Sequence, residues 1–422
     1  MAVHVVSAGD TLWKISATYG VSIQTIIEVN GLTAAGALVP GLALYIPDNM
    51  LPHRTHKIKA GDVIWKLAQE FQIAPSTIIQ ANPGIKPSRL SIGQIITIPT
   101  PLKLAIQTLG FMMPSTVSAN IATLNYLGNQ LTYLAAVAYS LTEQGWAYNL
   151  VDDSAIVTRS RQLNITPLLV VQNITYEGFS AELVGRVLEN PTFRKNLTSS
   201  LVNLARQRRF GGVSVDFEFI PPARRHDFIL FLTELKTALG NLILHVNLPA
   251  KTQDLPTNRI IGAYDYAAIA KIADIVAVMT MDYGYAGGPP DPVSPINWME
   301  KVIQYSITQI PHAKMQIAFP LYGHDKVVPS NKTIVLPVLH AQNQAISKWV
   351  SIQFDNTSKA PWYRYWLGGA EHTVWFEDIR SYIEMYKLVD LYQLAGTTYW
   401  ELSYPAPQNW AYLRKNISVK KQ

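Results

Sequence analysis

Two carboxylic acids stand two residues apart in the run Phe210-Gly211-Gly212-Val213-Ser214-Val215-Asp216-Phe217-Glu218-Phe219. The run alternates. Val213, Val215, Phe217 and Phe219 fall on one face, and Ser214, Asp216 and Glu218 on the other. A β-strand has a side-chain period of two, so the pattern predicts a strand with one apolar face and two acids opposite. At a rise of about 3.3 Å per residue, acids at i and i+2 lie roughly 6–7 Å apart. Two carboxyls that close do not both ionise freely, so one keeps a proton near neutral pH. A proton donor beside an anion is what cleavage of a glycosidic bond requires. The competing reading is a strand that ends in two solvated acids.

A second group of polar residues ends another apolar run. Val278-Met279-Thr280-Met281-Asp282-Tyr283 places Asp282 and Tyr283 at a strand end, with Met279 and Met281 read as packing. Tyr399-Trp400-Glu401 ends a further strand, where an indole suits the flat C–H face of a sugar. Tyr322 ends Pro320-Leu321-Tyr322-Gly323 and reaches either the cleft or the core. Glu143, Gln172 and Asn173 sit at strand ends by position alone.

Eight apolar runs hold these residues: 106–111, 134–139, 166–171, 212–219, 242–248, 275–281, 315–321 and 396–402. Amphipathic stretches such as 225–239 and 266–273 separate them. Apolar strands alternating with helices imply a parallel sheet covered on both faces, and eight of them imply an α/β fold of the closed (β/α)₈ kind. In such barrels the chemistry sits at the carboxyl ends of the strands, where Asp216 and Glu218 fall. The segment 326–374 is too long for a structureless loop and predicts a small α+β insertion that walls the cleft.

The first hundred residues repeat. Gly9-Asp10 matches Gly61-Asp62, Trp13-Lys14 matches Trp65-Lys66, Asn30 matches Asn82, and Ile46-Pro47 matches Ile98-Pro99, always at an offset of 52. Each copy reads as βααβ, over residues 1–48 and 55–100, with the barrel from 101 to 422. Asp10 and Asp62 read as helix N-caps, and Trp13 and Trp65 as core.

Composition narrows the function. The 422 residues are 48% hydrophobic and 15% charged, with a net charge of +6, so a folded, multidomain chain is expected. The basic clusters are short (Arg206 to Arg209, Arg224-Arg225), which gives little support to a nucleic-acid partner. There is no cysteine, which excludes disulfides and thiolate sites. The nine histidines show no His-x-x-x-His spacing. No metal or organic cofactor is expected. No run approaches the roughly 20 apolar residues of a membrane span, and Met1 to Val6 lacks the layout of a signal peptide.

The acid-bearing run resembles the active-site strand of the family 18 glycoside hydrolases, Asp-Gly-apolar-Asp-apolar-Asp-x-Glu. Asp216 and Glu218 match its last two acids, while Gly211 and Ser214 stand where the family often has acids. The resemblance implies a substrate-assisted, retaining mechanism. Glu218 is the general acid, and the substrate's acetamido oxygen is the nucleophile. Asp216 orients the acetamide, Asp282 and Tyr283 hold it, and Trp400 floors the sugar. Met281 replaces the tyrosine of the family's Met-x-Tyr-Asp, and Ser214 removes an inner acid, so both bear on substrate binding.

The repeats resemble LysM modules, which bind N-acetylglucosamine chains. That maps a glycan onto Gly9, Asp10, Thr11, Leu12, Asn30 and Gly31, and onto Gly61, Asp62, Val63, Ile64, Asn82 and Pro83. With Gly287-Gly288-Pro289-Pro290, Val374-Trp375-Phe376-Glu377-Asp378 and Pro407-Gln408-Asn409-Trp410, the whole chain is similar to the cortical-fragment-lytic enzymes of spore-forming bacteria. That implies peptidoglycan as partner and a place in the spore. A chitinase and a non-catalytic wall-binding lectin remain the alternatives, the lectin favoured by Met281 and Ser214.

Overall fold

The computed structural model describes residues 2–32 and 36–421. Met1, Thr33 to Ala35 of the first repeat, and Gln422 lie outside the described residues.

The eight expected strands form one closed parallel barrel. They are β1 (Leu104–Met112), β2 (Tyr133–Leu141), β3 (Thr166–Gln172), β4 (Gly212–Asp216), β5 (Ile243–Pro249), β6 (Ile275–Met279), β7 (Met315–Pro320) and β8 (Gly396–Trp400). Each pairs with its sequence neighbours, and β8 closes on β1 through Gly396 to Tyr399 against Gln107 to Gly110. The period of two is read directly in the packing. On β4, Val213 and Val215 face the helical layer, and Phe217 just beyond continues the pattern with its ring stacked 5.7 Å from Phe231 of the helix Arg225–Leu239. The alternate residues Ser214 and Asp216 face the lumen, as do His245 and Asn247 of β5 and Thr398 and Trp400 of β8. This register puts every polar candidate of β4 inside the barrel, with the mouth at the strands' carboxyl ends.

Three strands stop two or more residues short of the apolar runs. β4 stops at Asp216, so Glu218 lies just past it, and Phe219 does not join the apolar face. Phe219 has φ of +56° and is exposed. β6 stops at Met279, and Asp282 has φ of +60°. β8 stops at Trp400. In each case the chain leaves the regular ladder at the mouth, and at β4 and β6 a residue with positive φ follows within three positions.

Both amino-terminal repeats are βααβ. The first has strands Ala2–Val5 and Ala43–Ile46 around helices Leu12–Tyr19 and Ile23–Asn30. The second has strands His53–Lys57 and Ile95–Pro99 around Ile64–Glu70 and Pro75–Ala81. Trp13 and Trp65 are not core: they are 71% and 65% exposed. Leu12 and Ile15 define the buried stripe of their helix, and a residue one step from Leu12 points about 100° away from it. Asp10 and Asp62 do not cap helices either. Thr11 caps the first helix by accepting from the Lys14 amide, and Val63 precedes the second without a side-chain cap. Each aspartate instead closes its own loop, accepting from the Ser7 or Lys59 amide at 2.7 and 2.8 Å and from His4 or His56.

The two repeats differ in how they meet the barrel. The first shares one apolar core with the insertion, where Ile15 and Ile26 cluster with Ala341, Ala345 and Tyr363. The second has its own core around Ile64, Leu67 and Ile78. It is tied to the barrel by Arg54, which donates to both Asp390 oxygens, and by the Thr55 amide at 2.6 Å.

The insertion between β7 and β8 is α+β, with helix Val338–Ser347 on a five-stranded antiparallel sheet. Tyr322–Val328 lies second in that sheet, between Lys332–Pro337 and Ala370–Trp375. Among the described residues no helix is long and apolar enough to cross a membrane.

Candidate active site

A cavity of about 230 Å³ opens at the carboxyl ends of the strands. Asp216, Glu218, Asn247, Met281, Asp282 and Trp400 are among its lining residues. The site is thus assembled from the ends of β4, β5, β6 and β8, which lie far apart in sequence.

Asp216 is buried at the lumen end of β4, where Gln172 of β3 donates to its carboxylate at 2.7 Å. Burial pushes its pKa up to about 6, against the pull of the Gln172 and Asn247 amides. Glu218 is raised further, to about 8, first by burial and then by the charges of Asp216 and Asp282. Both carboxyls are thus raised, Glu218 the further of the two.

Asn173, the residue after β3, grips the backbone of Glu218 on both sides. Its carbonyl accepts from the Glu218 amide at 2.8 Å, and its amide donates to the Glu218 carbonyl at 2.9 Å. Since β4 has already ended, this clamp replaces the sheet ladder at Glu218. Asn173→Ala is therefore expected to lower kcat about 10- to 100-fold, the usual cost of a misplaced reacting group, with a smaller change in KM. Steady-state kinetics together with a melting curve checks it.

Asp282 lines the opposite side of the cavity. The Tyr322 hydroxyl donates to it at 2.5 Å from the start of the insertion. Tyr322 itself is buried, so it acts on the site through Asp282. Trp400 lies against Phe111 with ring centroids 5.5 Å apart and offers its half-buried face to the cavity.

Two expected substrate contacts fall elsewhere. Ser214 sits one layer down in the lumen and is not among the lining residues. Its hydroxyl accepts from Asn247 at 3.3 Å and shares a hydrogen bond of 2.8 Å with Nδ1 of His245. Burial holds His245 neutral, with a pKa near 3, so Ser214 bears on the site through Asn247. Tyr283 turns outward. Its ring packs on Trp298 at 5.4 Å, and the left-handed backbone at Asp282 carries it away from the cavity. The insertion does not line the cavity either. Asn247 was missing from the sequence reading. Its signal was the same as that of β4: His245 and Asn247 alternate with Leu244, Val246 and Leu248.

In the amino-terminal modules, Leu12 and Ile64 are core. Asn30 and Asn82 each spend the side-chain amide at home. Asn30 bonds Ile26 O and both backbone groups of Tyr45, and Asn82 bonds Ile78 O and those of Thr97. Gly31 is covered by Leu339 and Pro407. Gly9, Thr11, Gly61, Val63 and Pro83 remain open.

The sequence profile of glycosyl hydrolases family 18 matches residues 178–404, more than half of the chain, and the LysM domain profile matches 4–47 and 56–99. A Bacillus subtilis (strain 168) glycosylase named for sporulation is 33% identical over the full length of both chains. The cortical fragment-lytic enzyme of the same organism is 31% identical over 100% of this chain and 99% of its own. The spore cortex-lytic enzyme SleL of Bacillus cereus is similar in structure, with a TM-score of 0.86 and 28% identity over 100% of this chain and 99% of that one. With a closed barrel, two carboxyls at the mouth of its fourth strand and a profile match over that region, the chain belongs to the family 18 glycosyl hydrolases and carries two LysM domains.

Proposed function

We propose that the protein hydrolyses spore-cortex peptidoglycan at N-acetylglucosamine during germination, by a retaining mechanism in which the substrate's own acetamide is the nucleophile. The observation that carries this reading is the pair of carboxyls, Asp216 and Glu218, that share one cavity at the mouth of β4, where burial raises both pKa values and Glu218 the further. Glu218 gives that proton to the glycosidic oxygen as the bond to the anomeric carbon breaks. The acetamido oxygen bonds to that carbon and forms an oxazolinium ion. Water then attacks the same carbon, returns a proton to Glu218, and the ring opens. Asp216, fixed by Gln172 and Asn247, orients the acetamide and balances its developing positive charge. Asp282, held by Tyr322, completes the acetamide's surroundings, and Trp400 supports the sugar face.

The full-length likeness to cortex-lytic enzymes supports this polymer and a place at the spore cortex or wall. It is also what separates this reading from a plain chitinase. The LysM domains retain the enzyme on the glycan. The second domain keeps Gly61, Val63 and Pro83 uncovered, so it offers the freer surface for this. The test is stereochemical. Two consecutive displacements at one carbon release a product that first carries the configuration of the bond cut, which proton NMR of the nascent reducing end records. Inverted product would remove the acetamide from the mechanism.

A further inference from the structure

The insertion touches the loop after β6 through three strands: Trp375 donates to Pro290 O at 2.7 Å, Thr333 accepts from the Gly287 amide at 2.9 Å, and Tyr322–Val328 supplies one whole face. Tyr322, His324 and Lys326 stand at i, i+2 and i+4 of Tyr322–Val328, so all three point the same way. Tyr322 donates to Asp282, and Nδ1 of His324 donates to Gly284 O at 2.7 Å. The Lys326 ammonium is 1% exposed and ends among four carbonyls of the same loop: Gly284 at 3.3 Å, Tyr285 at 2.7 Å, Gly288 at 3.1 Å and Pro289 at 2.7 Å. No carboxylate pairs with it within ion-pair distance among the described residues. An ammonium taken out of water is costly unless its protons are all used, and here backbone oxygens alone use them. Lys326 binds more of the loop's carbonyls than any other side chain that holds it.

What the loop presents is aromatic. Tyr283 and Tyr285 are 48% and 58% exposed. Tyr285 lies across Gly288, where any Cβ would meet its ring at 2.8 Å. The cavity over Asp216 and Glu218 is smaller than the roughly 300–1,000 Å³ of ordinary ligand pockets. It cannot enclose a polymer, so sugars beyond the reacting unit lie on the rim.

We infer that Lys326 is a positioning residue for extended glycan. It holds the loop Tyr283–Pro290, which continues directly from Met281 and Asp282 of the cavity lining, so that Tyr285 offers a stacking surface to sugars outside the cavity. The inference rests on the glycan-hydrolase reading above and adds a determinant of preference for long chains. Its test compares two substrates on the full-length enzyme, an N-acetylglucosamine hexamer and a short aryl N-acetylglucosaminide. Lys326→Met removes the ammonium and keeps the stem. It is expected to raise KM for the hexamer about tenfold, the scale of a lost ring contact, with kcat and the short-substrate KM changed less than about twofold. Tyr285→Ala, at an exposed position that does not threaten folding, is expected to raise the hexamer KM to a similar degree. Equal losses on both substrates, or an unchanged hexamer KM in Tyr285→Ala, would overturn the inference. Should the wild type cleave spore-cortex fragments but neither of these, the same comparison is read on long against short cortex fragments; failure on all three would count against the hydrolase reading instead.

Discussion

Glu218→Gln is expected to lower kcat by about 10²- to 10⁴-fold, the contribution of a positioned general acid, while glycan affinity stays close to wild type. The amide keeps the shape of the carboxyl and its place beside Asn173, but has no proton to give. The pH profile carries the same claim. Glu218 must be protonated, and its pKa is raised to about 8, so activity falls as pH rises through that value. Asp216 must be ionised, and its pKa is raised to about 6, so activity falls as pH drops below that value. The optimum therefore lies between the two, and the limbs belong to the pair. The linkage sign runs against stability. A buried acid with a raised pKa binds more protons folded than unfolded, so the fold loses stability as pH rises from the unfolded pKa toward the folded one. Glu218→Gln removes that loss, so its melting temperature at pH 8 should equal or exceed that of the wild type. A lower one would mean that the ionised acid is not a burden on the fold.

Asp216→Asn is expected to cost about 10²- to 10³-fold in kcat, as removal of a preorganised electrostatic partner does. Its oxygen can still accept from Gln172, so the strand end is preserved and the loss is one of charge. A second signature follows from the same geometry. The Asp216 charge helps to raise Glu218, so the alkaline limb should move to lower pH in this variant. A profile with an unmoved alkaline limb would show that the two acids do not sense each other.

The barrel was legible because its strands are apolar on the face that meets the helices, and this marks their number and order even without a partner. The same alternation announced Asp216. Strand ends were less legible, since hydrophobicity continues through Phe217 and Phe219 after hydrogen bonding stops. That is why Glu218 proved to be held by Asn173 rather than by the sheet. The resemblance placed Asp282 and Trp400 at the mouth, but a left-handed residue at Asp282 turns Tyr283 outward, and no local pattern marks such a reversal in a non-glycine residue. Tyr322 could be read either way until its partner 40 residues away was in view. Trp13 and Trp65 misled because a repeated tryptophan suggests a core, whereas the helix stripe set by Leu12 and Ile15 leaves no room for it.

The most direct measurement is mass spectrometry of products from spore-cortex fragments and from N-acetylglucosamine oligomers, each treated with wild type and with Glu218→Gln. New reducing ends at N-acetylglucosamine are expected from cortex fragments with wild type, and none with the variant. Cleavage of the oligomers alone would contradict the cortex assignment in favour of a chitinase. Retained binding without product from either would contradict catalysis itself and leave a wall-binding lectin on a hydrolase barrel.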